Sequence, residues 1–385
     1  MIGVALLKII RTAQKNSGSK FLVNKQKERN MATNKAIVIV EKGKVEIREL
    51  PLPKLKEGHI LVKVNAVGIN PTDWKSIHNA QPKTFGSRSG CDFAGEVVEV
   101  GPGVTKDIKK GDRSAGMVFG ASVHAPDTGA FGEYVATKEH VQLKPPASVT
   151  DEEAATLGVS VTTVGQGLYK TLKLPLPTKP VATPFPVLIY GGSTATGIYG
   201  IKYAKLSGLT VIATSSPHNF ALLRSIGADH VFDYKSPTVG ADIRALTDNK
   251  LKHAWDCTGY GAAICAAALS DNEEGGKPKY ATIIPVKREV FDEGNPVVDG
   301  PHFTVGYDAY GVAYPRGGKE HVPDPEEAEF ARMFWEITQG LLESGKLIPL
   351  KPEVNRLGKG LEGVLLGLDE LKNDRVSGTK LVYTL

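Results

Sequence analysis

The sequence has few cysteines and no long hydrophobic run, and both absences exclude classes of protein. Its 385 residues include only Cys91, Cys257 and Cys265, which have neither a metal-binding spacing nor the even number of a disulfide framework. A reducing compartment is therefore expected. No apolar stretch reaches the length that a membrane-spanning helix needs, so no membrane span is expected.

Acidic residues are scarce only at the start of the chain. Residues 1–30 contain seven Lys or Arg and one Glu, so their net charge is +6, whereas the whole chain has +5. The remainder is nearly neutral, and nucleic-acid binding is not expected. With 41% hydrophobic and 23% charged residues the composition is that of a globular protein. The length predicts two domains.

The basic segment 1–30 allows two interpretations. Ile2, Leu6 and Ile9 can share one helix face, as in an amphipathic, acid-poor mitochondrial presequence. The alternative, which we favour, is a disordered extension ahead of a domain that opens near Met31. We therefore expect a cytoplasmic protein, or a mitochondrial one if the segment is a true presequence.

One later segment has the pattern of a dinucleotide-binding unit. An apolar run at 187–190 predicts a strand, a glycine-rich turn at 191–197 follows, and a helical run leads to a second apolar run at 211–214. In such a unit the N–H groups of the turn bind the cofactor diphosphate, although the pattern also fits an ordinary strand-to-helix turn. Thr194 stands where the usual G-x-G-x-x-G pattern has its middle glycine. The predicted cofactor-binding residues are Gly191, Ser193, Thr194, Ala195, Thr196 and Gly197.

The end of the second strand indicates which dinucleotide binds. A carboxylate there would bind the adenosine ribose 2′-OH and favour NAD, whereas its absence leaves room for a 2′-phosphate. Residues 214–219 read Thr-Ser-Ser-Pro-His-Asn and contain no carboxylate. The sequence thus predicts NADP(H), although the same segment can also cap a helix. Phosphate contacts are expected from Ser215, Ser216, Asn219 and Tyr234.

The remaining patterns predict a β-rich part and an α/β part. Short β-branched segments separated by Gly or Pro dominate residues 32–150, and alternating strands and helices continue to about residue 320. Helices are predicted at 151–169 and 326–346, and a last strand at 379–383. The last strand is expected to complete the β-rich part, with the site in the cleft between the two parts.

Four segments resemble the medium-chain dehydrogenase/reductase superfamily. They are 68–75 (GINPTDWK), 90–95 (GCDFAG), 129–134 (GAFGEY) and the glycine turn. The chain is most similar to the zinc-independent fungal branch, which holds trans-acting enoyl reductases and ToxD-like oxidoreductases. The resemblance implies an α/β fold class with a GroES-like β-rich catalytic domain and a Rossmann dinucleotide-binding domain. Their expected boundaries are 31–164 with 323–385 for the first and 165–322 for the second.

The zinc-binding residues of the superfamily are missing. Zinc-dependent members have ligands at the positions of Asn70, Cys91 and Val159, and they carry a four-cysteine structural lobe that this chain lacks. One cysteine cannot hold a catalytic zinc alone, so no metal is expected. Asp92, which replaces a glutamate of the zinc pattern, is expected to bind nothing.

A site without metal must activate its acceptor through hydrogen bonds and position. Reduction of a conjugated C=C bond suits such a site, because donors aimed at the carbonyl oxygen stabilise the negative charge that develops there. The resemblance implies that Lys75, Asn70 and Thr72 are catalytic and that Asp73 orders their loop. It also implies cofactor contacts from Lys75, Thr163, Val376 and Ser377, and a pocket near Tyr307 and Tyr310. Each of these residues has a structural interpretation as well, such as a solvated lysine or a turn residue.

We therefore expect an NADPH-dependent reductase of a small-molecule enone or enoyl thioester in secondary metabolism. A polyketide synthase is a candidate partner, and the protein is expected to be a monomer or homodimer. An aldehyde or quinone reductase is the alternative among enzymes. Outside enzymes, the alternative is an NADPH-binding partner or sensor with little turnover.

Overall fold

A computed structural model describes residues 33–385, so the segment 1–30 lies outside the described residues. The first part of the described chain is rich in strands, because its β-branched residues fit the pleated surface of a sheet, and most residues of β1 and β3 are buried there. Its strands are β1 (Thr33–Glu41), β2 (Lys44–Pro51), β3 (His59–Gly68), β4 (Asp92–Val100), β5 (Arg113–Met117), β6 (Tyr134–Lys138) and β7 (Gln142–Leu143).

Strand β3 is the centre of the main sheet in this part. It pairs antiparallel with β4 along most of its length. It also pairs antiparallel with β6 near its start and with the C-terminal strand β17 (Leu381–Thr384) near its end. The end of the chain therefore completes the β-rich sheet, as the sequence predicts. The domain boundaries at 164, 165, 322 and 323 stay predictions.

The second sheet has six parallel strands in the order β10-β9-β8-β11-β12-β13. Residues 187–189 of its central strand are fully buried, as expected for a strand with both faces covered. The strand order reverses beside β8, and a crevice for a dinucleotide forms at such a point. The strands are β8 (Pro186–Tyr190), β9 (Thr210–Ser215), β10 (His230–Asp233), β11 (His253–Asp256), β12 (Lys279–Thr282) and β13 (Asp299–Phe303).

The predicted alternation of strands and helices ends before residue 320. After β13 the chain forms a 3₁₀ helix at Gly306–Tyr310 and an antiparallel hairpin, β14 (Tyr314–Arg316) and β15 (Lys319–His321). Gly317 and Gly318 have positive φ angles, which suit the tight turn of this hairpin. The hairpin does not join the parallel sheet.

The helices of the described range cover both sheets. The helix predicted at 151–169 is interrupted. A first helix ends at Ala154, a second begins at Gly158, and the second continues as a π-helical turn at Gly165–Thr171. The helices are α1 (Pro71–His78), α2 (Asp151–Ala154), α3 (Gly158–Val164), α4 (Ala195–Leu206), α5 (Phe220–Ser225), α6 (Val239–Leu246), α7 (Ala262–Ala268), α8 (Glu289–Gly294), α9 (Pro325–Glu343) and α10 (Gly360–Lys372). Two short strands, β16 (Glu353–Val354) and β17, flank α10. Among residues 33–385, no helix has both the length and the apolar character to cross a membrane.

Candidate functional site

The glycine turn between β8 and α4 is held by bonds within itself. Gly191 has a φ of +77°, in the left-handed region that favours glycine. A Cβ at Gly197 would lie 2.3 Å from the Gly191 carbonyl oxygen, so the start of α4 can approach the turn only without a side chain there. Thr194, at the position of the missing middle glycine, caps α4 by accepting a 2.9 Å hydrogen bond from Gly197 N at its Oγ1.

This turn fits the diphosphate of a dinucleotide. The backbone N–H groups of Ser193, Ala195 and Thr196 have no hydrogen-bond partner within residues 33–385. All three residues are half-buried, and they lie at the N-terminus of a 12-residue helix. Free donors at a helix N-terminus are a binding site for phosphate groups. The turn therefore has the donors that a nicotinamide dinucleotide needs.

The C-terminal segment brings a second set of predicted residues to this turn. Gly378 N donates to Ser193 O at 3.2 Å, and Asn219 Nδ2 donates to Ser377 Oγ at 2.9 Å. Asn219 and Ser377 are 158 residues apart in the sequence. The structure thus places Ser193, Asn219 and Ser377 in one group. Val376, in contrast, packs against the core of the β-rich part.

The end of β9 presents one free hydroxyl. Ser215 is buried and its Oγ donates to Ser216 O at 3.1 Å, whereas the Ser216 side chain is half-buried at the surface. Ser215 pairs with Asp233 of the neighbouring strand β10, and Asp233 precedes the partly exposed Tyr234. The Lys235 ammonium lies 5.9 Å from the centre of the Tyr234 ring. A cation and a hydroxyl therefore flank the strand end at which NADP(H) was predicted to bind.

The three predicted catalytic residues lie on α1 or at its start. Asn70 precedes the helix, and its backbone N donates to Asp73 Oδ2 at 2.7 Å, so Asp73 orders the loop as predicted. Thr72 Oγ1 is 2.7 Å from the Tyr307 hydroxyl. The Lys75 ammonium lies 5.7 Å from the Trp74 ring centre and has no hydrogen bond or ion pair within the described chain.

Beside these residues a buried ammonium contacts Asn70, one of the three positions at which zinc-dependent members have ligands. Lys380 Nζ donates to Asn70 Oδ1 at 2.9 Å, forms an ion pair with Asp92, and donates to Thr156 O at 3.3 Å. Asp92 Oδ1 in turn accepts a 2.8 Å hydrogen bond from Val159 N. The expectation that Asp92 binds nothing is therefore wrong, because its carboxylate neutralises the buried lysine.

The donor set at these positions does not match a metal site. Of the three zinc positions only Cys91 is a usual ligand, and residues 33–385 contain no group of three or more His, Cys, Asp or Glu arranged to hold a metal ion. Asn70 Nδ2 is buried without a hydrogen-bond partner in the same range, since the amide oxygen is the atom that faces Lys380. Asn70 thus keeps an unused donor.

Burial gives three groups of this cluster unusual protonation behaviour. Burial, followed by the negative charge of Asp92, raises the pKa of Asp73 to about 7. Burial also raises the pKa of the Cys91 thiol and that of the Tyr307 hydroxyl well above their usual ranges. The thiol and the phenol are therefore neutral at neutral pH, whereas the Asp73 carboxyl is divided between its protonated and its ionised form.

Tyr307 connects this cluster to an open cleft of 400 Å³. Its ring stacks on Phe119 with 3.9 Å between ring centres and 4° between planes. The preceding residue, Gly306, lies against the hydroxyl of Thr163, because a Cβ at Gly306 would be 3.5 Å from Thr163 Oγ1. Thr163 thus lies beside the catalytic cluster. Tyr310, the other predicted pocket residue, is buried and does not line this cleft.

Sequence reasoning missed three functional features. Lys380 lies in a segment that resembles the fungal branch and is predicted as a final strand, but nothing local distinguishes this residue from a solvated lysine. The sequence makes Tyr307 a candidate for the lining of the substrate pocket but does not show where in the fold it lies. The loop after β11 was also missed: Asp256 accepts hydrogen bonds from Thr258 N and Gly261 N, and the Thr258 methyl packs on Gly191. Its place at the carboxyl end of a parallel strand was the available signal.

Comparison with known proteins agrees with this geometry. Residues 56–147 match the alcohol dehydrogenase GroES-like domain, and residues 195–276 match the zinc-binding dehydrogenase domain. The chain is 42% identical to the trans-enoyl reductase ACTTS2 of Alternaria alternata over 356 residues, which cover 92% of this chain and 100% of that protein. It is 47% identical to the trans-enoyl reductase TOXD of Cochliobolus carbonum over 237 residues, or 61% of this chain and 78% of that protein.

Solved structures share the fold. A mycobacterial protein, Rv1454c, solved in complex with NADPH, superposes with a TM-score of 0.70 at 20% identity and covers 92% of this chain and 100% of its own. The fold prediction, a GroES-like part joined to a Rossmann part, is thereby confirmed. With the Alternaria relative aligned over its whole length and the glycine turn in its expected place, the chain belongs to the medium-chain dehydrogenase/reductase superfamily and, within it, to the family of the trans-enoyl reductases.

Proposed function

We propose that this protein is an NADPH-dependent reductase of conjugated C=C bonds in enones or enoyl thioesters and that it works without a metal. The observation that carries the proposal is the Lys380 ammonium, which binds Asn70, at one position where zinc-dependent relatives have a metal ligand, and pairs with Asp92, the residue after a second such position. The acceptor is then activated by the amide of Asn70 and the hydroxyl of Thr72 instead of by a metal ion that acts as a Lewis acid. The trans-enoyl reductase relatives support the same reaction.

The glycine turn and the end of β9 form the proposed NADP(H) site. The free N–H groups of Ser193, Ala195 and Thr196 bind the diphosphate. Ser216, with Asn219 and Ser377 beside it, binds the 2′-phosphate, and the nearby Lys235 adds positive charge. The absence of a carboxylate at the end of β9 favours this phosphate.

The catalytic part holds the acceptor next to the cofactor. When bound, the reduced nicotinamide supplies a hydride for the β-carbon of the acceptor. The unused Nδ2 donor of Asn70 and the hydroxyl of Thr72 stabilise the negative charge on the carbonyl oxygen. The Lys75 ammonium, which has no ion pair within residues 33–385, binds the cofactor ribose. Thr163 would contact the nicotinamide.

The setting of the reaction rests on the resemblance. A polyketide synthase is the proposed supplier of enoyl thioester substrates, in line with the fungal trans-enoyl reductase relatives. A cytoplasmic location and a monomeric or homodimeric state stay predictions.

A panel of acceptors tests the proposed function. Purified protein is incubated with NADPH or NADH and with enones, enoyl thioesters, quinones or aldehydes, and the loss of nicotinamide absorbance is followed. We expect turnover with conjugated C=C acceptors and tighter binding of NADPH than of NADH. Ser216→Asp should reverse that cofactor preference, because a carboxylate repels the 2′-phosphate.

Other outcomes point to the alternatives. Turnover of only quinones or saturated aldehydes would replace the C=C reaction by the alternative reductase. Tight NADPH binding without any acceptor reduced would indicate a binding partner or sensor. Full activity that disappears with a chelator and returns with zinc would overturn the metal-free mechanism.

A further inference from the structure

The Tyr307 hydroxyl is the point at which the open cleft meets the buried cluster. The tyrosine lines the 400 Å³ cleft, while its hydroxyl lies 2.7 Å from Thr72 Oγ1 and 3.6 Å from Cys91 Sγ. Stacking on Phe119 fixes the ring in this orientation. The Tyr307 hydroxyl is therefore a neighbour of Thr72, which binds the acceptor carbonyl in the proposed function, and of a thiol that can exchange protons.

The buried carboxyl of Asp73 has one oxygen that forms no hydrogen bond within the described residues. Asp73 Oδ2 accepts from Asn70 N, whereas Oδ1 is buried without a hydrogen-bond partner in the described chain. The Cys91 thiol lies beside the Asp73 carboxyl and is among the groups that lower the pKa of Asp73. Asp73, Cys91 and Tyr307 thus follow one another from the interior to the cleft.

We propose that Tyr307 is the catalytic proton donor to the α-carbon of the substrate, and that Cys91 and Asp73 position and resupply its proton. The assignment rests on the proposed function, because only reduction of a conjugated C=C bond leaves an α-carbon that needs a proton. It deepens that function by naming the donor.

The proton transfer balances as follows. Once a hydride has reached the β-carbon, the electron pair of the C=C bond is delocalised onto the carbonyl oxygen as an enolate. The α-carbon uses that pair to form a C–H bond with the Tyr307 proton, and the phenol O–H bond breaks to leave a phenolate. The phenolate takes the thiol proton of Cys91, whose sulfur takes the proton of the Asp73 carboxyl. Water returns a proton to Asp73 between turnovers.

Other nearby groups fit this role less well. The Lys75 ammonium lies over the Trp74 ring and has no hydrogen bond to Tyr307, Cys91 or Asp73. Thr72 is a weaker acid than a phenol and is already hydrogen-bonded to Tyr307. Cys91 is fully buried behind the tyrosine ring and cannot reach a substrate in the cleft. Lys380 is engaged by Asn70 and Asp92.

The test uses an α-methyl enoyl thioester, whose reduction creates a stereocentre at the protonated carbon. Wild-type protein is expected to give one configuration. Tyr307→Phe keeps the ring and its stacking but lacks the proton, so kcat should fall about 10²- to 10⁴-fold, the usual contribution of a general acid. Because water then protonates the enolate from either face, the product should become a mixture of configurations. NADPH binding, measured by fluorescence titration without substrate, should stay within twofold of wild type.

Tyr310→Phe is the matched control. It makes the same change three residues later in the same 3₁₀ helix, but Tyr310 is buried and does not line the cleft. We expect wild-type rate and configuration from it.

A readout specific to the relay comes from the pH dependence of kcat. The carboxyl of Asp73 is faced by Asp92, Cys91 and Lys380 as well as by the backbone of Asn70, and its pKa is about 7. It is protonated below that pH and ionised above it, so kcat should decline as the pH rises through about 7. Asp73→Asn cannot resupply the proton, and its kcat should be low and should not show this decline.

The possible results are distinguishable. Wild-type rate and a single configuration in Tyr307→Phe would overturn the assignment while leaving the proposed function intact. A wild-type protein that reduces no conjugated acceptor would overturn the proposed function and the assignment together. A single configuration at a reduced rate would show that Tyr307 only shapes the cleft, which also overturns its role as donor.

Discussion

The cofactor end of the candidate site, at the glycine turn, and its catalytic end, around Asn70, are held together in different ways. At the cofactor end, the turn at 191–197 closes through hydrogen bonds between residues three apart, such as Gly197 N to Thr194 Oγ1. At the catalytic end, Lys380 joins Asn70 and Asp92, which are 310 and 288 residues away in the sequence. The glycine turn itself is therefore closed by local bonds, although the C-terminal segment also reaches it through Gly378. The catalytic end, in contrast, forms only when both ends of the described chain have folded together.

Replacing Lys380 should have the largest effect, because it breaks the long-range cluster. Lys380→Met leaves the Asp92 carboxylate buried and unpaired, which costs about 3–5 kcal/mol of unfolding free energy. Urea denaturation followed by circular dichroism measures this loss. The double variant Lys380→Met with Asp92→Asn should recover at least half of it, since no charge is left unpaired. A loss below about 1 kcal/mol in the single variant would show that the catalytic end does not depend on this pair.

The Asp73 carboxyl should make stability depend on pH at the catalytic end. Its pKa is raised from 3.8 to about 7 in the folded protein, so the native state holds a proton that the unfolded state releases. This contribution is fully present below about pH 4 and is lost as the pH rises through about 7, a change of about 4 kcal/mol. Asp73→Asn should lack this slope.

Denaturation curves between pH 4 and pH 8 test this pH dependence. Asp107→Asn, at a highly exposed carboxylate, is the control and should follow the wild-type curve. Parallel pH dependence in wild type and Asp73→Asn would mean that Asp73 is ionised in the native protein over the whole range.

At the cofactor end, a change to the turn should reduce binding and leave the rest of the fold intact. An alanine at residue 197 would place its Cβ 2.3 Å from the Gly191 carbonyl oxygen and push the turn open. We expect Gly197→Ala to weaken NADPH binding at least tenfold, or about 1.4 kcal/mol, in isothermal titration calorimetry. Gly340→Ala, in α9, is the control because no atom lies within 4 Å of its added Cβ. It should bind NADPH normally and be slightly more stable. Equal affinity in both variants would place the diphosphate elsewhere.

The smallest expected effect concerns Lys75, which we assign to the cofactor ribose. Lys75→Ala should weaken NADPH binding about fivefold, or roughly 1 kcal/mol, since one charge-assisted hydrogen bond to the cofactor is lost at a half-exposed position. Lys42→Ala, an exposed lysine in the β1–β2 turn, is the control. Unchanged affinity together with unchanged kcat would remove Lys75 from the site.

The same contrast explains how far the sequence could predict the structure. The strand, turn and helix around residues 187–206 follow from local periodicity and from the glycine pattern, and the structure has them where expected. The interruption after Ala154 and the hairpin after residue 313 were not predicted, because tertiary packing and turn glycines decide them.

The residues of the candidate site likewise fall into those that a local motif predicts and those that only the fold brings together. Asn70, Thr72 and Asp73 stand together in one motif, and their grouping was predicted from it. Their partners Lys380 and Tyr307 are distant in sequence and carry no local mark of function. A lysine in a final strand and a tyrosine in a loop acquire their roles only through the three-dimensional fold.

The fate of a deuterium label tests the central claim most directly. The protein is incubated with a conjugated enoyl thioester and with NADPH that carries deuterium at the transferred position of the nicotinamide. The product is then analysed by mass spectrometry and NMR. Metal-free C=C reduction predicts a saturated thioester with the deuterium on its β-carbon. Deuterium on the former carbonyl carbon, or an unlabelled and unreduced substrate, would contradict the account.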